Sequence, residues 1–123
     1  MRLTPVPASD RLGHCPWQIA EVRGVERTAL RARLGEPAYV ETDAARTFGG
    51  EEDWWGYRDA EGVAIGLCLR VPYEHLVVKF SRGSQTAIED VRALLAPWRL
   101  EVHDSPHFDG PSSPVGGAPG EPA

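Results

Sequence analysis

The sequence predicts an α+β fold, a small antiparallel sheet with two helices packed on one face. Apolar residues recur every three or four positions in residues 25–34 and 88–95, as they do along one side of a helix. Between residues 63 and 70 they alternate with a period of two, which is typical of a strand with one face on the core. The elements follow as helix, three or four strands, helix and strand, an order that favours helices layered on a sheet.

The first predicted helix carries Val25, Leu30 and Leu34 on its apolar side. Its arginines, including Arg27 and Arg31, take the other side, where we expect solvent. The helix should end at Gly35, because glycine adopts the left-handed conformation of a helix end without strain, and a proline two positions later prevents continuation.

The predicted strands follow from residue 53 onward. Residues 54–57 and 63–70 form a hairpin, joined by a turn at residues 59–62. Pro72 interrupts the pairing because it has no N–H to donate, and residues 76–80 form the next strand. Gly49 and Gly50, which lack the motif of a phosphate loop, are interpreted as hinge residues before the hairpin.

The second predicted helix begins at a capping box formed by Thr86 and Glu89. Ile88, Val91 and Leu95 make its apolar stripe, and Pro97 ends it. Trp98 should close the core beneath this helix, and residues 99–103 alternate as a short last strand.

Composition also bounds the domain. The segment 105–123 holds five Pro, four Gly and three Ser, which predicts a disordered tail. Residues 1–16 contain three prolines and predict an irregular lead-in, so that one domain spans residues 17–104.

The charge balance excludes several classes of function. The chain has 13 Lys and Arg against 18 Asp and Glu, a net charge of −5, which disfavours non-specific binding to nucleic acid. No apolar run reaches the ~18 to 20 residues of a membrane-spanning helix, and the first ten residues lack the apolar stretch of a secretory signal. We therefore expect a cytoplasmic protein that binds neither nucleic acid nor a membrane.

The strongest candidate site is an acidic run that continues into aromatic residues. Adjacent tryptophans on a strand point to opposite faces, so one of them must leave the core unless both faces are covered. Exposed aromatic rings are common at the centre of protein interfaces, and carboxylates attract a basic partner. The sequence thus predicts a surface for a protein partner with basic groups, made of Glu51, Glu52, Asp53, Trp54, Trp55 and Tyr57. The alternative is a covered structural pair of tryptophans, and which ring is exposed stays open.

The sequence contains fewer observations in favour of an enzyme. The same carboxylates with His75 could serve a small hydrolase or a metal-dependent enzyme. No nucleophile elbow or calcium loop is present, so we expect no enzyme, catalytic residue or cofactor.

Cys68 is predicted to be a small buried residue. His103 and His107 are separated by Pro106, which prevents the helical alignment of a zinc pair, and no metal site is predicted.

The run Gly-Val-Glu-Arg-Thr-Ala-Leu-Arg-Ala-Arg-Leu-Gly-Glu-Pro at 24–37 resembles the helix and exit of a small α/β module. That module is shared by outer-membrane lipoproteins of the SmpA/OmlA type and by inhibitors of the β-lactamase-inhibitory-protein type. Residues 54–57 and 77–80 are similar to its hairpin strands. The resemblance implies a sheet whose exposed face and loops bind another protein, without an active site. Size, charge and aromatic loops are also similar to those of cytosolic immunity proteins. Together these observations predict a non-enzymatic binding module, an inhibitor or an immunity protein.

Overall fold

The computed structural model describes residues 3–7, 18–43 and 50–103. These residues form one antiparallel sheet of seven strands and two α-helices, which confirms the predicted fold class. The strands are β1 Thr4–Val6, β2 Gln18–Arg23, β3 Tyr39–Glu41, β4 Glu52–Arg58, β5 Ala64–Arg70, β6 His75–Phe80 and β7 Glu101–His103. The helices are α1 Arg27–Leu34 and α2 Gln85–Leu94, and a single 3-10 turn, Val71–Tyr73, precedes β6.

The strand order in the sheet is β1-β4-β5-β6-β2-β7, and β3 also pairs with β4. Both short strands lie along the same edge of β4: β3 pairs with its first half and β1 with its second half. The predicted β4–β5 hairpin is confirmed, and its turn is held by Asp59, whose Oδ1 accepts the backbone N–H groups of Glu61 and Val63. The hairpin therefore lies between the short edge strands β1 and β3 on one side and β6 on the other.

The hydrophobic core lies between the sheet and both described helices. Trp55, Leu67, Val78 and Ala20 form one row across four neighbouring strands, and each is 3% exposed or less. The helices add apolar side chains to the same cluster, including Leu30 from α1 and Val91 from α2. Side chains of opposite parity along each strand project to the other side of the sheet, which is called the open face below.

The apolar stripes are confirmed in part: Leu30 and Leu34 of α1 and Ile88 and Val91 of α2 pack on the core, whereas Val25 and Leu95 are buried just beyond the helix ends. Gly35 has a φ of 87° and its N–H donates to the carbonyl of Arg31, so α1 ends where the sequence predicts. The start of α2 differs from the prediction, because Ser84 and not Thr86 is the N-cap. Ser84 has extended backbone angles, and its hydroxyl accepts the N–H of Ala87 at 3.1 Å, whereas Thr86 lies inside the first turn.

Three strands, β1, β2 and β3, were not predicted. β2 lies between β6 and β7 and buries Ala20 and Val22 against them. β1 lies in the segment that we predicted to be irregular, and the preceding Leu3 is only 4% exposed. Pro5 is compatible with β1 because that strand is at the sheet edge, where a missing N–H breaks no inner ladder.

Neither helix in the described segments is long and apolar enough to cross a membrane. The predicted tail, residues 105–123, and most of the predicted lead-in lie outside the described residues.

Gly50 lies close to the ring of Pro72, which belongs to the 3-10 turn after β5. A Cβ built on Gly50 would lie 2.7 Å from Cδ of Pro72 and closer still to Cγ. Gly50, which we interpreted as a hinge, therefore has a packing role in the structure. Gly50→Ala should lower the free energy of unfolding by about 1–3 kcal/mol, the usual effect of overpacking, measured by urea denaturation.

The matched control is the double variant Gly50→Ala/Pro72→Ala, in which the clashing ring atoms are gone. In the Pro72→Ala background, Gly50→Ala should lower the free energy of unfolding by less than it does in the wild type. A double-mutant cycle measures this difference. Strictly additive effects of the two substitutions would contradict the packing role.

Candidate functional site

The six residues of the predicted partner surface are divided between the two sides of β4. Asp53, Trp55 and Tyr57 face the helices and are 0%, 3% and 4% exposed, whereas Glu52 and Trp54 project to the open face. Asp53, Trp55 and Tyr57 are thus interior residues, so the structure leaves only part of the six-residue contact set that the sequence predicted at an accessible face. The physical reason is the period of two along a strand, which separates neighbours in sequence onto opposite faces.

Trp55 is the core tryptophan of the pair. Its Nε1 donates to the carbonyl oxygen of Gly35 at 3.1 Å, which ties the middle of β4 to the end of α1. Burial raises the pKa of Tyr57, two positions further along the same face. These residues hold the sheet to the helix layer.

Asp53 is the centre of a buried ionic cluster. Arg27 donates from Nε and Nη2 to the two carboxylate oxygens at 2.8 and 2.7 Å, and Arg31 donates from the same atoms at 3.0 Å each. The two arginines are four residues apart on α1 and so project from one side of the helix. They contact Asp53 instead of being directed only to solvent, which corrects the interpretation of this side of α1.

The electrostatics of the cluster keep all three groups charged. Burial alone raises the pKa of Asp53, but the hydrogen bonds from Arg27 and Arg31 outweigh it and the net pKa is lowered. The hydrogen bonds to Asp53 raise the pKa of both arginines in turn. Arg27 also pairs with the partly exposed Glu51 at 2.7 Å, on the helix side of the sheet. Asp53 therefore has both oxygens engaged and a pKa unsuited to a general acid near neutral pH.

The open face carries a different group of side chains at the β3–β4 edge. Tyr39 and Trp54 are directly opposite each other in the sheet register, as are Glu41 and Glu52. Tyr39 is 49% exposed and Trp54 is partly exposed. We call these four residues the aromatic–acidic surface. Tyr39 and Glu41 were missed in the sequence because β3 has only three residues, too few for a periodic pattern.

Hydrogen bonds fix the rings of the aromatic–acidic surface over its carboxylates. The hydroxyl of Tyr39 donates to Oε1 of Glu41 at 2.6 Å, and Nε1 of Trp54 donates to Oε1 of Glu52 at 3.3 Å. Nζ of Lys79 lies 5.6 Å from the centroid of the Trp54 ring, within range of a cation–π interaction. The surface thus presents two aromatic rings, each held by a hydrogen bond to a carboxylate that is itself buried.

Cys68 lies opposite Trp54 on the open face and is 4% exposed. Burial, together with the nearby charge of Glu52, raises the pKa of Cys68 to about 12. The thiol is therefore protonated at neutral pH and is a poor nucleophile, which confirms its predicted place as a small buried residue.

His75 does not share a site with the carboxylates that the enzymatic alternative pairs with it. It lies on β6, and its Nε2 contacts Oε1 of Glu21 on β2 at 2.8 Å. Glu52 and Asp53 are themselves on opposite faces of β4. The hydrolase or metal-dependent enzyme stays a prediction. Glu52 and Asp53 do not form a carboxylate pair that could support it.

A groove of about 450 Å³ lies on the helix side, lined by Ala29, Ala32, Arg33, Pro97 and Trp98. Arg33 donates to the carbonyl oxygens of Leu94 and Ala93 at 2.8 and 3.2 Å and so caps the end of α2. Trp98 is partly buried against the core, as predicted for its position after the helix. None of the predicted contact residues lines this groove.

No family model, curated protein or solved structure matches the chain. The resemblance to the lipoprotein and inhibitor module stays a prediction, and the function is argued from the geometry of the surface itself.

Proposed function

We propose that this protein is a non-enzymatic protein-binding module, of the inhibitor or immunity type, that contacts its partner through the aromatic–acidic surface. The observation that carries the proposal is the direct pairing of Tyr39 and Trp54 on the face remote from both described helices. Of the six residues predicted from the sequence, Glu52 and Trp54 belong to this surface, and Tyr39 and Glu41 join them.

The chemistry of the surface supports a partner with exposed lysine or arginine side chains. Tyrosine and tryptophan are the residues most often found where binding energy is concentrated, because they bury large areas at low entropic cost. The Trp54 ring already accepts a cation from within the chain at Lys79. The net charge of −5 favours approach of a basic protein, and the carboxylates of Glu41 and Glu52, which are 8% and 7% exposed, hold the two rings in place.

Trp54→Ala should weaken binding to the partner by about 2 kcal/mol, or roughly 30-fold, if the ring is a centre of the interface. The tagged full chain would first be used to isolate a stoichiometric partner from source cells. The affinity of each variant for that purified partner would then be measured by isothermal titration calorimetry.

The matched control is Tyr73→Ala, which removes an aromatic ring that is 60% exposed and lies outside the surface. Its affinity should equal that of the wild type, and binding should weaken as salt is added because the partner is basic. The proposal fails if no stoichiometric partner is recovered, or if Trp54→Ala and Tyr73→Ala bind equally well. The cytoplasmic location stays a prediction from the sequence.

A further inference from the structure

A second group of polar side chains occupies the open face at the other end of the sheet, across β6, β2 and β7. Glu21 and Glu101 are directly opposite each other in the β2–β7 register, and His103 follows two positions after Glu101 on the same face. One carboxylate oxygen from each glutamate and one ring nitrogen of His103 lie within 4.8 Å of one another. Strands β5 and β6 lie between these three residues on β2 and β7 and the aromatic–acidic surface on β3 and β4.

Glu21 is the residue on which the contacts converge. Nε2 of His103 contacts its Oε2, and Nε2 of His75 contacts its Oε1 at 2.8 Å. Arg23 reaches the same Oε1 at 2.9 Å with a side chain that is 72% exposed. The Glu21 side chain is only 16% exposed, so its carboxylate has a fixed place between two imidazoles.

Two carboxylates converge here from directly opposite positions of β2 and β7. Arg23 contacts one oxygen of Glu21, and the other oxygen is the one that meets His103. The donor set also includes imidazole nitrogen, which suits Zn²⁺ and related transition metals, whereas Mg²⁺ and Ca²⁺ prefer oxygen ligands alone.

We propose that Glu21, Glu101 and His103 form a binding site for a divalent transition-metal ion, for which Zn²⁺ is the probe. Bonds of about 2.0–2.2 Å in a tetrahedral arrangement place ligand atoms roughly 3.4 Å apart. The exposed side chains of Glu101 and His103 reach such spacing from their observed positions by rotation. The fourth position is left for water or another ligand.

His75 is a positioning residue in this proposal. Its contact with Oε1 orients the Glu21 carboxylate so that the second oxygen is directed to the ion, the usual arrangement behind a metal ligand. The pair His103 and His107, considered from the sequence, is replaced by a set drawn from two strands, and His107 lies outside the described residues.

The test uses the full chain after removal of metal with a chelator, titrated with Zn²⁺ by calorimetry. The wild type should bind one equivalent, and His103→Ala and Glu101→Gln should each lower the affinity at least ~10-fold, since even the loss of a residue behind a metal ligand typically costs that much. His75→Ala should lower it while the stoichiometry stays at one. Two controls lie outside the proposed ligand set: His107→Ala, and Cys15→Ser at the other cysteine of the chain. Both should bind Zn²⁺ like the wild type.

A second measurement separates metal binding from a merely structural role. In the metal-free chain Glu101→Gln should leave the thermal midpoint nearly unchanged, because Glu101 is exposed. Zn²⁺ should then raise the midpoint of the wild type and not that of Glu101→Gln, and Mg²⁺ should raise neither.

The proposal is overturned if the wild type binds no Zn²⁺, if His103→Ala and Glu101→Gln bind it as tightly as the wild type, or if Mg²⁺ acts as Zn²⁺ does. Loss of binding in Cys15→Ser would also overturn it, since the ion would then be held elsewhere. Trp54→Ala should retain full Zn²⁺ binding, so failure at this site and failure of the proposed protein contact are distinguishable.

Discussion

Trp55→Ala should lower the free energy of unfolding by about 3–5 kcal/mol, the range for removing a large aromatic side chain from a packed core. Trp55 is 3% exposed, and its Nε1 also donates to the carbonyl of Gly35. The substitution therefore opens a cavity between β4 and α1 and leaves a helix-end carbonyl without its donor. Urea denaturation followed by circular dichroism measures the change.

The adjacent tryptophan is the matched control, because Trp54→Ala removes the same side chain from the opposite face. Its ring is partly exposed and contacts Lys79, so the expected loss is about 1 kcal/mol, the scale of an exposed cation–π contact. Trp55→Ala should thus act on stability and Trp54→Ala on binding. Equal losses of stability in the two variants would contradict the assignment of Trp55 to the core.

Asp53→Ala should lower the free energy of unfolding by about 3 kcal/mol, near the lower end of the effect of removing one partner from a buried ion pair. The Asp53 side chain is 0% exposed and accepts four hydrogen bonds, whereas the side chains of Arg27 and Arg31 are 29% and 28% exposed. Water reaches part of each guanidinium after the substitution, which is why the lower end is expected.

Glu51→Ala provides the comparison, since Glu51 pairs with the same Arg27 but is 46% exposed. Exposed pairs contribute little, so its expected loss is below about 1 kcal/mol. If Asp53→Ala and Glu51→Ala cost the same, burial of the Asp53 cluster would not be the source of its effect.

The lowered pKa of Asp53 also predicts how stability depends on pH. A carboxylate with a lower pKa in the folded chain adds stability that is fully present above its ordinary unfolded pKa of about 3.9 and is lost as the pH falls through the folded value. The wild type should therefore lose more stability in acid than Asp53→Asn does. Denaturation midpoints from about pH 7 to about pH 2 measure the difference between the two curves; parallel curves would contradict the shift.

Local patterns in the sequence determined several elements of the fold. The apolar spacing and Gly35 determined α1 and its end, because a helix needs only its own backbone bonds and a residue that tolerates positive φ. Alternation determined the β4–β5 hairpin, and Asp59 closes its turn with two hydrogen bonds to nearby N–H groups. These features depend on residues that are close in the chain.

The short strands could not be predicted in the same way. β1 and β3 have three residues each, and β2 buries the small Ala20 and Val22. The conformation of β1 and β2 comes from pairing with β4 and β6, which lie far away in sequence, and β3 is held by β4, the strand that follows it. A pattern of so few residues contains no usable period.

The candidate sites show the same division. Strand geometry alone determined that Trp54 and Trp55 point to opposite faces, but only the packing of α1 and α2 decided which ring is buried. Asp53 belongs to the interior because Arg27 and Arg31 reach it from 26 and 22 residues away. Glu21 meets His103 across 82 residues. Contacts between such distant groups depend on the assembled sheet and helix layers, and so only the tertiary structure decided them.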